Sequence, residues 1–219
     1  MAKLLWTQRQ SIGPTPRFGH AIAYDRTRKQ VVLFGGNAGN GRLFGDTWVW
    51  DGDNWTQVSD IGPGARAAHA LAYDEQRARI VLFGGQLAGP QAADTWEWDG
   101  QDWTQIADAG PGSRASHALA YHAGRQRVTL FGGLDAAQTV TADTWEWDGN
   151  EWTQQEDIGP SARHRHVMAG DSIRKRIVLF GGSVAPAGDA LHDTWEWDGT
   201  EWTQVADFGP DGAMGAAMV

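Results

Sequence analysis

One unit of about 49 residues, written four times, governs what this chain of 219 residues can become. The triplet Trp-Thr-Gln starts at Trp6, Trp55, Trp103, Trp152 and Trp202, in steps of 49, 48, 49 and 50 residues. Gly-Pro starts at Gly13, Gly62, Gly110, Gly159 and Gly209 with the same steps, and Phe-Gly-Gly starts at Phe34, Phe83, Phe131 and Phe180. The segment DTWEWDG opens at Asp94, Asp143 and Asp193, and DTWVWDG opens at Asp46. Repetition at this period means that each copy buries its apolar face against the next copy. No second domain and no linker interrupts the pattern. Residues 1–219 read as a single domain with units at roughly 15–58, 64–107, 112–155 and 161–206, and spare strands at 4–8 and 212–219.

Each unit reads as four short strands. In the second unit, residues 67–74 (AAHALAYD) form a first strand rich in small residues. Residues 78–85 (ARIVLFGG) are a continuous apolar run, which fits a strand buried on both faces. Residues 94–98 (DTWEW) alternate polar with aromatic, and residues 103–107 (WTQIA) follow an Asp-Gly hairpin turn. No segment has helical periodicity of useful length. Four strands every 48–50 residues describe a propeller blade.

The paired Gly84 and Gly85, the turn Trp98-Asp99-Gly100 and then Trp103 together resemble the kelch motif. GPGSRASHA at residues 110–118, which leads into the third unit with its Arg and His, resembles the kelch lead-in. The resemblance covers nearly the whole chain, with Trp98 where kelch units usually carry Tyr. It implies an all-β, kelch-type β-propeller with four four-stranded blades. Kelch rings usually have more blades. The chain also opens on a spare fourth strand and ends on a spare first strand in which Ala213 and Ala216 replace the Arg and His. Closure as a four-bladed ring by strand exchange between the termini is the favoured account. Two chains joined in one larger ring, and a piece of a longer repeat array, are the alternatives.

Composition narrows the partners. The formal net charge of -9 disfavours nucleic acid and anionic membrane surfaces. The absence of cysteine excludes disulfides, thiolate metal sites and a cysteine nucleophile. No signal peptide and no apolar run of membrane-spanning length is visible, which favours a cytoplasmic protein. No motif for nucleophilic catalysis, zinc or a phosphate loop occurs. No cofactor and no metal is called for.

All 13 Trp fall on repeat positions, five in Trp-Thr-Gln and eight in the third strands, so they read as wedge-filling between blades. Arg17, Arg66, Arg114 and Arg163 recur three residues before His20, His69, His117 and His166. The Arg are expected to pair with Asp46, Asp94, Asp143 and Asp193 of neighbouring blades. The His are expected to be locked between blades by hydrogen bonds; four His holding a metal is the alternative. Four equal copies argue against paired carboxylates for acid–base work, which needs groups of different pKa.

A unique site must lie where the copies differ. The loops after the second strand (residues 37–45, 86–93, 134–142 and 183–192) vary in length and sequence, and rigid scaffolds place binding in such loops. The candidates are Asn37, Asn40, Arg42, Phe44, Gln86, Gln91, Asp135, Gln138, Thr139, Asp189 and His192. A second departure is a basic run at Arg163, His164, Arg165 and His166, with Arg174, Lys175 and Arg176, which suits an acidic partner. The resulting reading is a non-catalytic interaction scaffold. It binds another protein or a further copy of itself through this rim, with exposed apolar anchors such as Phe44. The alternative is a small-molecule or sugar-binding protein, or an isomerase-like enzyme, with polar groups converging at the channel mouth.

Overall fold

The computed structural model describes residues 12–155 and 158–218. It is an all-β, four-bladed β-propeller built of four antiparallel sheets, each with its strands in chain order. The first blade consists of Ala21–Asp25, Gln30–Phe34, Thr47–Trp50 and Trp55–Ser59. The second consists of Ala70–Asp74, Arg79–Phe83, Thr95–Trp98 and Trp103–Ala107. The third has Ala118–His122, Arg127–Asp135, Val140–Trp147 and Trp152–Gln154, and a short segment, Arg114–Ala115, pairs with its second strand. The fourth has Val167–Asp171, Arg176–Phe180, Thr194–Trp197 and Trp202–Ala206. The spare strand expected at residues 4–8 lies outside the described residues. Among the described residues no helix is long and apolar enough to cross a membrane.

The hairpin between third and fourth strands shows why the repeated heptapeptide recurs. Gly100 has φ of 105°, and the Asp99 carboxylate accepts the backbone N–H groups of Gln101 and Asp102 at 2.8 and 2.9 Å. That turn sets Trp98 directly opposite Trp103, with ring centroids 5.5 Å apart. The first, third and fourth blades repeat the tryptophan pair at 5.7, 5.5 and 5.5 Å.

Blades join by one repeated joint. A trailing face, made of Phe, Val or Thr and a small-residue first strand, receives the leading face of the next blade. Three apolar clusters follow, one at each junction from the first blade to the fourth. Trp103 packs edge-on against Phe34 at 5.4 Å and donates its Nε1–H to Thr47 Oγ1 at 2.9 Å. Trp152 does the same to Phe83 and Thr95, and Trp202 to Phe131 and Thr144. The first strands pack on one another in sequence around the axis. Their small residues, Ala70, Ala72, Ala118 and Ala120, let the blades approach closely there.

The arginine–aspartate pairs form, but not where expected. Arg66 meets Asp94 through two bonds of 2.6 and 2.8 Å, and both belong to the same blade. Arg17–Asp46, Arg114–Asp143 and Arg163–Asp193 repeat that bidentate geometry within their own units. It is the arginine main chain that reaches across: the Arg66 carbonyl accepts the N–H of Gly36 in the preceding blade at 2.8 Å.

Candidate functional site

The lead-in to each first strand and the loop after each second strand share one end of the propeller. The Gly-Gly turn brings them together. Gly84 and Gly85 have φ of 64° and 103°, and a Cβ on Gly84 would stand 2.7 Å from the Arg114 carbonyl of the next blade. Only glycine admits that approach. Isolated bridges then pin each loop to its own lead-in: Phe18 to Asn37, Ala67 to Gln86, and His164 to Ser183.

Four of the ten candidate polar side chains at this end serve their own loops. Asn37 accepts the Gly39 N–H at 2.8 Å, and Asn40 accepts that of Arg42 at 3.1 Å. Gln86 donates to the carbonyls of Leu87 and Gly89 at 3.1 and 2.7 Å. Asp135 accepts the N–H groups of Ala137 and Thr139 at 2.9 and 2.7 Å. Gln91 is half-buried, with its Oε1 buried and unpartnered among the described residues. Arg42, Gln138, Thr139, Asp189 and His192 are exposed. Phe44 requires a correction: it is only 6% exposed, beneath the Arg17 guanidinium at 3.9 Å, so it is no protruding anchor. A cavity of about 880 Å³ opens at this mouth of the channel, lined by Arg17, Phe18, His69, Ser116, Arg165 and Met214 among others. None of the eleven candidates lines it.

The basic run does not form a patch. Arg163 and His164 are fully buried, and Arg163 is neutralised by Asp193. Arg174 lies at the opposite end of the blade, paired with Asp171 and Glu196, and Arg176 is paired with Asp198. Of the lead-in run only Arg165 is exposed.

Three of the four repeat histidines pack against aromatic rings. His69, His117 and His166 lie edge-on to Phe34, Phe83 and Phe131 at 5.4, 5.5 and 5.5 Å. Neither ring nitrogen of any of the three has a hydrogen-bond partner among the described residues, contrary to the expected hydrogen-bonded lock. Burial first, and then the adjacent Arg66 and Arg163 charges, push His69 and His166 down to about 3, and His117 is lowered for the same reasons beside Arg114. Among the described residues no group of three or more His, Asp or Glu is placed to hold a metal ion. The paired aspartates are perturbed differently. Burial pushes the Asp94 carboxyl up, but the hydrogen bonds and charge of Arg66, with the Trp96 N–H, outweigh it and hold the group below its ordinary value.

What the sequence reading missed is apolar. Ile12, Ile61 and Ile158 stand immediately before Gly-Pro and are 76%, 81% and 81% exposed; Phe208 occupies the same repeat position at 80%. Ile61, Ile158 and Phe208 follow the outer strand of one unit and precede the next lead-in or the tail, on the variable-loop end, and Ile12 stands at the start of the first lead-in. Phe18, also exposed, lies at the channel mouth. The signal was present as a large apolar residue before four of the five Gly-Pro pairs, with Ala109 at the fifth.

Comparison with protein-family models gives no match, and comparison with curated proteins gives none either. Among solved structures, the chain is similar in fold to that of YjhT, with a TM-score of 0.75 over 95% of this chain and 71% of the other, at 15% sequence identity. That likeness concerns the propeller fold alone.

Proposed function

We propose that the chain is a non-catalytic scaffold that docks another protein on its variable-loop end. The observation that carries this reading is the set of exposed apolar side chains at matched positions, Ile12, Ile61, Ile158 and Phe208, spread around one rim. Large apolar groups left in water at equivalent points of successive repeats have no packing role inside the blade. Exposed apolar positions on one face mark contact surfaces. The exposed Arg42, Asp189 and His192 between them supply the polar surround typical of an interface. The kelch-like motifs agree with such a role by resemblance.

The test is the triple variant Ile61→Asp, Ile158→Asp, Phe208→Asp, compared with the native chain as immobilised bait. Expected is one or more proteins retained by the native chain in defined stoichiometry and lost by the variant, with unchanged circular dichroism and urea midpoint. A folded variant that retains the same proteins overturns the reading. So does a chain that retains none but gains thermal stability with monosaccharides, since that outcome favours a small-molecule site in the channel mouth.

A further inference from the structure

The exposed faces of the first and fourth blades are the two halves of a joint that the chain makes three times internally. At each internal joint a Phe meets the next blade's His, and a Thr accepts from the next blade's Trp, as described above. At two of them a carboxylate accepts as well: Trp147 Nε1 donates to Glu97 at 3.0 Å and Trp197 Nε1 to Glu146 at 3.3 Å. The fourth blade repeats the acceptor set with Phe180, Thr194 and Glu196. The first blade repeats the complementary His and the carboxylate-bonding Trp with His20 and Trp50, and Ile22 stands at the position of Leu71, Leu119 and Met168. These side chains are more open than their counterparts. Ile22 is 58% exposed, against 8%, 7% and 8% for Leu71, Leu119 and Met168. His20 is exposed where the other three repeat His are buried, and Phe180 and Thr194 are half-buried where Phe34, Phe83, Phe131, Thr47, Thr95 and Thr144 are buried.

We propose that a second copy of this chain covers both faces. The fourth blade of each copy receives the first blade of the other, so two identical joints form and the blades of both copies share one axis. The pairing is head-to-tail, and the self-complementarity it needs is the one the repeat already carries. It is independent of the rim proposed above, which faces along the axis.

One local contact must give way. Residues 213–215 take the backbone bonds that the next lead-in takes elsewhere: Gly182 N–H to the Ala213 carbonyl, and Gly215 N–H to the Arg165 carbonyl, both 2.8 Å. With Ala216 at the histidine position, this tail brings no imidazole to Phe180. The lead-in of a second copy, residues 17–20, brings the same backbone bonds together with His20, and so displaces the tail.

The chain has no cysteine, so His20→Cys and Phe180→Cys can be introduced in separate preparations and mixed with a short bis-maleimide. Expected is a species of twice the 23.8 kDa chain mass by light scattering, and cross-linking between chains only when both variants are present. Removal of residues 209–219 is expected to raise the paired fraction at a given concentration. A single-chain mass at every concentration, with and without the tail, overturns the proposal. A chain carrying both cysteines that cross-links only within itself also overturns it, because the ring then closes on its own blades.

Discussion

Lowering the pH from 7 to 5 is expected to destabilise this propeller well before its carboxylates titrate. His69 and His166 are buried between blades with folded pKa values of about 3, against about 6.5 in an unfolded chain. Between those values the unfolded chain binds more protons than the folded one, so stability falls as pH falls. Each such group costs about 1.4 kcal/mol per pH unit once the pH is below its unfolded value. For the two together, the loss between pH 7 and 5 comes to about 4 kcal/mol. His117, lowered by the same burial, adds in the same direction. Asp46, Asp94, Asp143 and Asp193 are held below their ordinary values, so their contribution persists through this window and is lost only at lower pH. Set against a domain stability of roughly 5–15 kcal/mol, the histidine effect is large. The assay is urea unfolding followed by tryptophan fluorescence at pH 7, 6 and 5 and constant ionic strength. His69→Gln with His166→Gln, which cannot gain the proton, is expected to reduce the slope, with His117, His20 and His122 retaining the remainder. An unchanged urea midpoint between pH 7 and 5 would refute the reasoning, as would a double variant that keeps the full native slope.

Two further outcomes are expected. Arg66→Met leaves Asp94 without its bidentate partner; because that carboxylate keeps some solvent, the loss is about 2–4 kcal/mol in urea, with the Asp94 pKa rising in NMR titration. Phe83→Ala removes a fully buried ring and costs about 3–5 kcal/mol, whereas Phe180→Ala costs less than half as much when measured at low protein concentration, where the fourth blade's face is open.

The architecture was legible because the same joint recurs. A motif such as Trp-Thr-Gln repeated every 49 residues fixes strand, turn and wedge together, and Trp98 opposite Trp103 follows from the Asp-Gly turn between them. What the sequence did not disclose was the direction of contact. A spacing of 28 residues from Arg66 to Asp94 is compatible with a bond inside one blade or across two, and only the lead-in geometry chooses the former. Phe44 read as an anchor because its loop is variable. Two arginines lie over its ring, Arg42 from the same loop at 5.2 Å and Arg17 at 3.9 Å, and the nearer of them is 27 positions away in the chain. Asn37, Asn40, Gln86 and Asp135 read as free polar groups because loop turns consume side-chain oxygens and amides in ways that no local pattern announces. The isoleucines before Gly-Pro were passed over because a lone apolar residue in a polar stretch carries little signal. Their weight comes from shared exposure, which is a property of the folded ring.

Around the channel mouth the main chain forms a belt of its own. The N–H of Ala68 bonds the Gly19 carbonyl, Ser116 bonds Ala68, Arg165 bonds Ser116 and Gly215 bonds Arg165, at 2.7 to 2.8 Å. These residues all have φ between 55° and 64°. No side chain takes part, so the five positions already hold Gly, Ala, Ser, Arg and Gly without altering the linkage. Such a belt separates the vocabulary of the mouth from the grammar of the ring. A non-glycine residue costs roughly 1–2 kcal/mol for its left-handed backbone, more if β-branched, and proline is excluded because it has neither the positive φ nor the N–H that the belt uses. A library of unbranched residues at positions 68, 116 and 165 would therefore vary the lining of the channel through side chains that take no part in the belt.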